Sequence, residues 1–297
     1  MYALRPHETI YDGVQSAVRK GVHGCVQLLA SESSDTIDDK AVHSIRTRVK
    51  KLRTLIRLVR FDLGDRRYRR GKACLHETGN ALSAIRDAKV VLSTCERLVR
   101  RWDGVDCHPL FTALQEGQAK TRLAPSPDKR RLLAKRLRAF EQLLSTCPES
   151  RPESKSLKRG LRHIYTAGCM ALELCGRAPS EAHFHELRKS AKDLLYTCAF
   201  LRKASGAASS MLKELRQFTA LLGRDHDLTL VRHVASEDGA PQQAYLRNLT
   251  LDQQRLLRQR AWRIGLRLYA RPPGPFVNWL LRGWKKGPAN AGLAAMH

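Results

Sequence analysis

The sequence predicts an all-α fold built by internal duplication, and three observations carry that expectation. Aromatics make up 6% of residues and alternating apolar/polar runs are scarce, so the usual signal for strands is missing. Apolar residues recur instead at helical spacing through most of the 297 residues. A short pattern, His-x-x-Arg-x-x-x-Lys, then occurs twice: His43, Arg46 and Lys50, and later His185, Arg188 and Lys192.

Taken in order, the periodicity predicts helices over 8–30 and 38–62, closed by the turn residues of "DLGD" at 62–65. Helices over 66–101 and 108–120 follow and run to "APSP" at 124–127. The helix at 128–146 ends on "CPESRPES", that at 154–176 on "GRAPS", and those at 181–204, 208–236 and 240–270 complete the set. The segment Pro148 to Ser154 is the strongest linker candidate. The organisation expected is one domain over 1–285, with halves at 1–147 and 154–271 and a tail at 272–297. In the tail, Trp279, Leu280, Leu281 and Trp284 form a short apolar segment that docks on the body or touches a partner.

Composition narrows the partners. An apolar fraction of 42% is enough for a core, while 54 Lys and Arg against 28 acids leave a formal charge of +26. Such an excess repels itself in a compact chain and attracts polyanions: nucleic acid, anionic headgroups or a phosphate polymer. The eight Cys include no C-x-x-C pair, so zinc or redox spacing is missing and buried, reduced thiols are expected. The N-terminus lacks a signal-peptide layout. No run reaches the ~20 apolar residues of a membrane helix. A soluble cytoplasmic protein, without membrane, metal or cofactor, is the expectation.

The stretch 41–60 holds seven Lys or Arg and no acid. At about 100° per residue, His43, Arg46, Lys50, Arg53, Arg57 and Arg60 share one arc. That arc borders the apolar set Val42, Ile45, Val49, Leu52, Ile56 and Val59, while Arg48 and Lys51 point elsewhere. The second copy places His185, Arg188, Lys189, Lys192, Tyr196 and Lys203 beside Leu187, Ala191, Leu194 and Cys198. Like charges at i,i+4 repel by about 0.2–0.5 kcal/mol per pair. A bound anion would relieve that repulsion; a solvated basic face is the plainer alternative. His43 and His185 stand near helix starts, where they cap, pack or meet an anion when protonated.

A second repeated pair lies downstream. "AIRDAKVVL" aligns Arg86 and Asp87 with Arg224 and Asp225 of "LGRDHDLTL". Asp87 and Asp225 read as acids that orient Arg or His. Asp225 and Asp227 are two apart, a spacing that a helix does not point one way, so a metal pair is disfavoured. Of the other basic clusters, 66–72 reads as ordinary exposed charge. Lys155, Lys158, Arg159 and Arg162 keep one-face spacing. Arg260, Arg263 and Arg267 form a short row, with Arg255 and Arg258 turned away from it.

The patterns "VHSIRTRVKKLR" with "IRDAKVVL", then "FHELRKSAKDLLY" with "LGRDHDL", resemble the CHAD family, the conserved histidine α-helical domain. The resemblance implies two pseudo-symmetric helical bundles packed around a basic channel or cavity. It also implies binding of inorganic polyphosphate and association with polyphosphate granules. The family's basic positions fall on His43, Arg46, Lys50, Lys51 and Arg53, then on His185, Arg188, Lys192 and Tyr196. Asp193 and Leu195 stand where basic residues are common in the family.

The functional expectation is therefore non-catalytic binding of inorganic polyphosphate. The stripe residues named above would carry it, with Arg86, Arg224, Lys158 and Arg162. The alternative is a nucleic-acid binder using the same cations. Neither a phosphate-cradling Gly loop nor a duplicated acidic cluster occurs, so catalysis of phosphoryl transfer is not expected. On this reading, Arg46→Glu with Lys50→Glu abolishes binding and leaves helicity intact.

Overall fold

The computed structural model describes residues 2–6, 8–30, 37–102, 125–145, 153–234 and 241–282. Among these residues the fold is all-helical. The first helices are α1 (Ile10–Ala30), α2 (Asp39–Leu58), α3 (Arg60–Asn80) and α4 (Ser83–Val99). They are followed by α5 (Pro127–Ser145), α6 (Glu153–Arg177), α7 (Glu181–Leu201), the short α8 (Gly206–Ser210) and α9 (Leu212–Val234). The last two are α10 (Pro241–Leu268) and α11 (Pro273–Leu280). The expected helix at 108–120 and most of the expected linker lie outside the described residues.

The apolar stripe of α2 does what its spacing predicts. Val42, Ile45, Val49, Leu52, Ile56 and Val59 are all buried, each such side chain contributing about 1.5–3 kcal/mol of burial. They pack α2 against α1, α3, α6 and α7. The helix stops at Val59, whose ψ of 18° leaves the helical region. Gly64, at φ 73°, then kinks α3, a conformation an L side chain resists. The expected helix over 66–101 is instead two helices: Gly79 and Asn80 are weak helix formers, and the chain turns at Leu82 to bury that side chain fully.

The helices carrying the two copies of each motif lie against one another, α2 against α7 and α4 against α9. The second contact has its own small core, in which Val91, Cys95 and Leu98 meet Leu228, Val231 and Leu246. Helix α6 crosses to the first half through Gly160. A Cβ there would stand 1.8 Å from the Leu58 carbonyl oxygen, so only a glycine lets the two backbones approach this closely. The start of the expected tail is helical and docked. Phe276, Val277 and Leu280 are buried, and Phe276 stacks on Tyr165 with ring centroids 3.6 Å apart.

The described cysteines are free thiols, with Cys25, Cys95, Cys175 and Cys198 buried. Burial pushes the Cys25 and Cys198 thiols up to about 12, which keeps them protonated and unreactive. Among the described residues no helix is long and apolar enough to cross a membrane.

Candidate functional site

The two halves meet around a cavity of about 500 Å³ lined from α2, α3, α6 and α7. Its cations are Arg57, Arg60, Arg69, Lys72 and Lys189, with His163 among them; its acids are Asp65, Glu186 and Asp193. Each acid is engaged. Asp193 on α7 holds Arg57 in an ion pair and accepts the Thr54 hydroxyl at 2.7 Å, joining the halves directly. Glu186 binds the Lys189 ammonium at 2.6 Å, and Asp65 lies 3.7 Å from Arg60. Arg69 and Lys72 are the cavity's two cations with no acid partner among the described residues.

Why α3 delivers these two is plain in its register. Asp65, Tyr68, Arg69 and Lys72 fall at i, i+3, i+4 and i+7, one face of a helix. Tyr68 packs inward and carries the Arg60 guanidinium 4.9 Å above its ring. On the facing wall, His163 of α6 meets the Phe61 ring edge-on, and Arg159 stands 4.3 Å over that same ring. Burial, with Arg60 and Arg57 nearby, holds the His163 imidazole below its ordinary value. The imidazole is the neutral member of a cationic wall.

A second group of basic residues lies half-buried between α7 and α9. Arg188 is close enough to act electrostatically on His185, Lys192, Tyr196 and Asp225 together. Burial lowers the pKa of His185 and of Lys192, with Arg188 adding to both, and raises that of the Tyr196 phenol. The His185 ring lies 5.0 Å from that of His226. Acids of α9 face this group: Asp227 opposes the depression at Lys192, and Asp225 is buried beneath it. Burial raises the Asp225 carboxyl against the pull of Arg258, whose Nε donates to it at 2.7 Å.

The family model for the CHAD domain matches residues 21–236, most of the chain. This chain belongs to the CHAD family. No curated protein matches it. Among solved structures, the CHAD domain from the plant Ricinus communis is similar, at 18% identity and a TM-score of 0.58. The match covers 89% of this chain and 94% of that one, and at that identity it establishes the shared helical fold.

The CHAD positions carried from sequence do not all reach one place. Of the expected contacts, Arg57, Arg60 and Lys189 line the shared cavity. His185, Arg188, Lys192 and Tyr196 form the α7–α9 group, with Asp225 buried beneath them. Its closest partner is Arg258, an arginine that sequence reasoning set aside. Arg46 and Arg53 turn toward α3, donating to the Gly79 carbonyl at 2.7 Å and the Leu75 carbonyl at 3.0 Å. Lys50 is half-buried, and so is Lys51, whose pKa burial lowers. His43 is exposed, 3.5 Å from the Thr47 hydroxyl. Lys158 and Arg162 are exposed on α6, and Asp87 is half-buried on α4. The Arg86 side chain lies outside what the structure describes. Arg224 lines a different cavity, between α9 and α10. Arg69 and Lys72 are exposed, as the reading of 66–72 expects, and they line the shared cavity as well, a placement for which their spacing with Tyr68 is a signal. His163 and Asp193 carried none, because each depends on the opposite half.

Proposed function

We propose that this CHAD-family chain binds inorganic polyphosphate without turning it over, with the cavity between its halves as the primary seat. The observation that carries the reading is the pair Arg69 and Lys72. They are cations with no acid partner among the described residues, in a cavity whose five lining cations outnumber its three lining acids. A linear phosphate chain brings regularly spaced oxyanions and no bases, which suits Arg forks and Lys point charges on a concave wall. The exposed Lys189–Glu186 pair can reorganise around such a ligand, since surface pairs of this kind are worth about 0–1 kcal/mol. Family membership supports the same ligand class through the resemblance stated above, and granule association in the cytoplasm would follow from it.

The non-catalytic part of the reading rests on the acids. Asp65, Glu186 and Asp193 each face a cation, so the cavity offers no carboxylate pair to bridge a metal ion between phosphates. Polyphosphate of defined length, incubated with protein and Mg²⁺, should keep its length on a gel.

The direct test is Arg69→Glu with Lys72→Glu, read by calorimetric titration with polyphosphate. Both side chains are exposed, so the helical signal should persist while affinity falls by about 5- to 150-fold, two lost charge contacts at roughly 0.5–1.5 kcal/mol each. Unchanged affinity places the ligand elsewhere. Duplex DNA or RNA should displace polyphosphate weakly; equal displacement would favour a nucleic-acid binder instead.

A further inference from the structure

Between α9 and α10 lies a cavity of about 460 Å³ that shares no lining residue and no helix with the one between the halves. Four arginines line it, Arg224 from α9 and Arg260, Arg263 and Arg267 from α10, and no acid does. Arg267 is held from outside the lining, its Nε and Nη2 both on Glu214 Oε1 at 2.8 and 2.7 Å. Arg224, Arg260 and Arg263 have no acid partner among the described residues. Arg260, Arg263 and Arg267 stand at successive one-turn steps on one helix face, so their charges repel there. Arg224 joins the lining from α9, together with Ala220 and Leu221 of α9 and Ile264 of α10.

Three exposed guanidiniums with no acid partner among the described residues share one acid-free lining, where they repel one another and an anion with several charged oxygens would relieve that repulsion. We infer that the α9–α10 cavity is a second, independent site for a short run of inorganic phosphates. No aromatic side chain lines it, which leaves a nucleic-acid strand nothing on which to stack its bases. Arg forks can each take two phosphate oxygens, and neighbouring oxyanions of one chain can occupy the one-turn spacing. The Arg267–Glu214 pair fixes the end of the row nearest the start of α9. The site extends the polyphosphate reading without depending on the first cavity. Its consequence is bivalency: one protein molecule can hold two chains, or two segments of one.

Calorimetric titration with tripolyphosphate separates the two sites. Wild-type protein should bind two equivalents. Arg260→Glu with Arg263→Glu should bind one, with its remaining affinity unchanged, and Arg69→Glu with Lys72→Glu should remove the other. Arg260→Gln with Arg263→Gln, which avoids introducing new acids, should behave like the Glu pair. If both α10 variants keep the wild-type stoichiometry and affinity while the α3 variant loses an equivalent, the second site is wrong and the first stands. If the α10 variants lose an equivalent while the α3 variant loses none, the second site stands and the first is wrong. Mixed with long polyphosphate, wild-type protein should scatter light by crosslinking and the α10 variants should not; equal scattering would overturn the inferred bivalency.

Discussion

At the scale of single residues, most of the cationic stripe is compensated within the fold, from positions the local sequence does not show. Arg57 finds Asp193, distant in sequence, and Arg46 and Arg53 find carbonyls near the end of α3. Replacing Arg46 by Glu therefore strips the Gly79 carbonyl of a donor and sets a negative charge in its place, so the Arg46, Lys50 double variant tests packing as much as binding. A histidine gives a cleaner experiment. His163 faces Arg57 and Arg60, with Arg159 over the adjoining Phe61 ring, and its pKa is lowered by burial first and those arginines next. Between the lowered folded value and the unfolded 6.5, the unfolded chain binds more protons, so stability is whole above 6.5 and falls as pH drops below it. On the proposed reading a polyphosphate chain among the same arginines would restore the proton, so affinity should rise over the window in which stability falls. That gain is about tenfold for each pKa unit regained. Titrations at several pH values should show this for wild-type protein, and His163→Gln should flatten the profile. An equally steep profile in the variant would remove His163 from the site. The sequence showed which helix face is basic; it could not show which cations already had partners, because those partners come from other helices.

At the scale of elements, the helices were legible wherever a periodic apolar stripe was long, as in α2, α7 and α9. They were misjudged where a tertiary contact overruled the pattern. The turn at Ala81–Leu82 exists because Leu82 is buried, and the docking of α11 on Tyr165 follows from a cross-chain stack. The element that assembles the shared cavity is α6, and Gly160 seats it on the end of α2. His163 lies three residues beyond that contact and Arg57 one residue before Leu58, so the contact sets the spacing across the cavity. Gly160→Ala must push the two backbones apart. Overpacking of this kind costs about 1–3 kcal/mol, which thermal melting should register as a lower Tm. The same variant should weaken polyphosphate binding although no lining side chain has changed. A variant that melts lower yet binds as before would detach the cavity from this helix contact.

At the scale of the whole molecule, the charge of +26 is far larger than the excess in any one cavity, and that difference makes ligand length the informative variable. In the shared cavity, acids already answer Arg57, Arg60 and Lys189, so a chain short enough to stay inside gains mainly Arg69 and Lys72. If counterion release follows the single-strand rule, two such contacts give a log–log salt slope of about −1.4, roughly a sevenfold loss between 50 and 200 mM salt. On the proposed reading a longer chain would leave the cavity past Asp65, which also lines a neighbouring hollow of about 510 Å³ with Arg66, Arg67 and Arg70. These three arginines have no acid partner among the described residues. Five contacts in place of two steepen the slope to about −3.5, a loss of about 10² over the same salt range. In protein carrying Arg260→Gln with Arg263→Gln, which leaves only the shared cavity's site, affinity titrations of short and long polyphosphates across that range should therefore give two slopes, the long chain's more than twice the short one's. Replacing Arg66, Arg67 and Arg70 by Gln should return the long chain to the shallow slope. One slope at every length would mean that the surface beyond the cavity takes no part, and that the surplus charge serves repulsion between protein molecules instead.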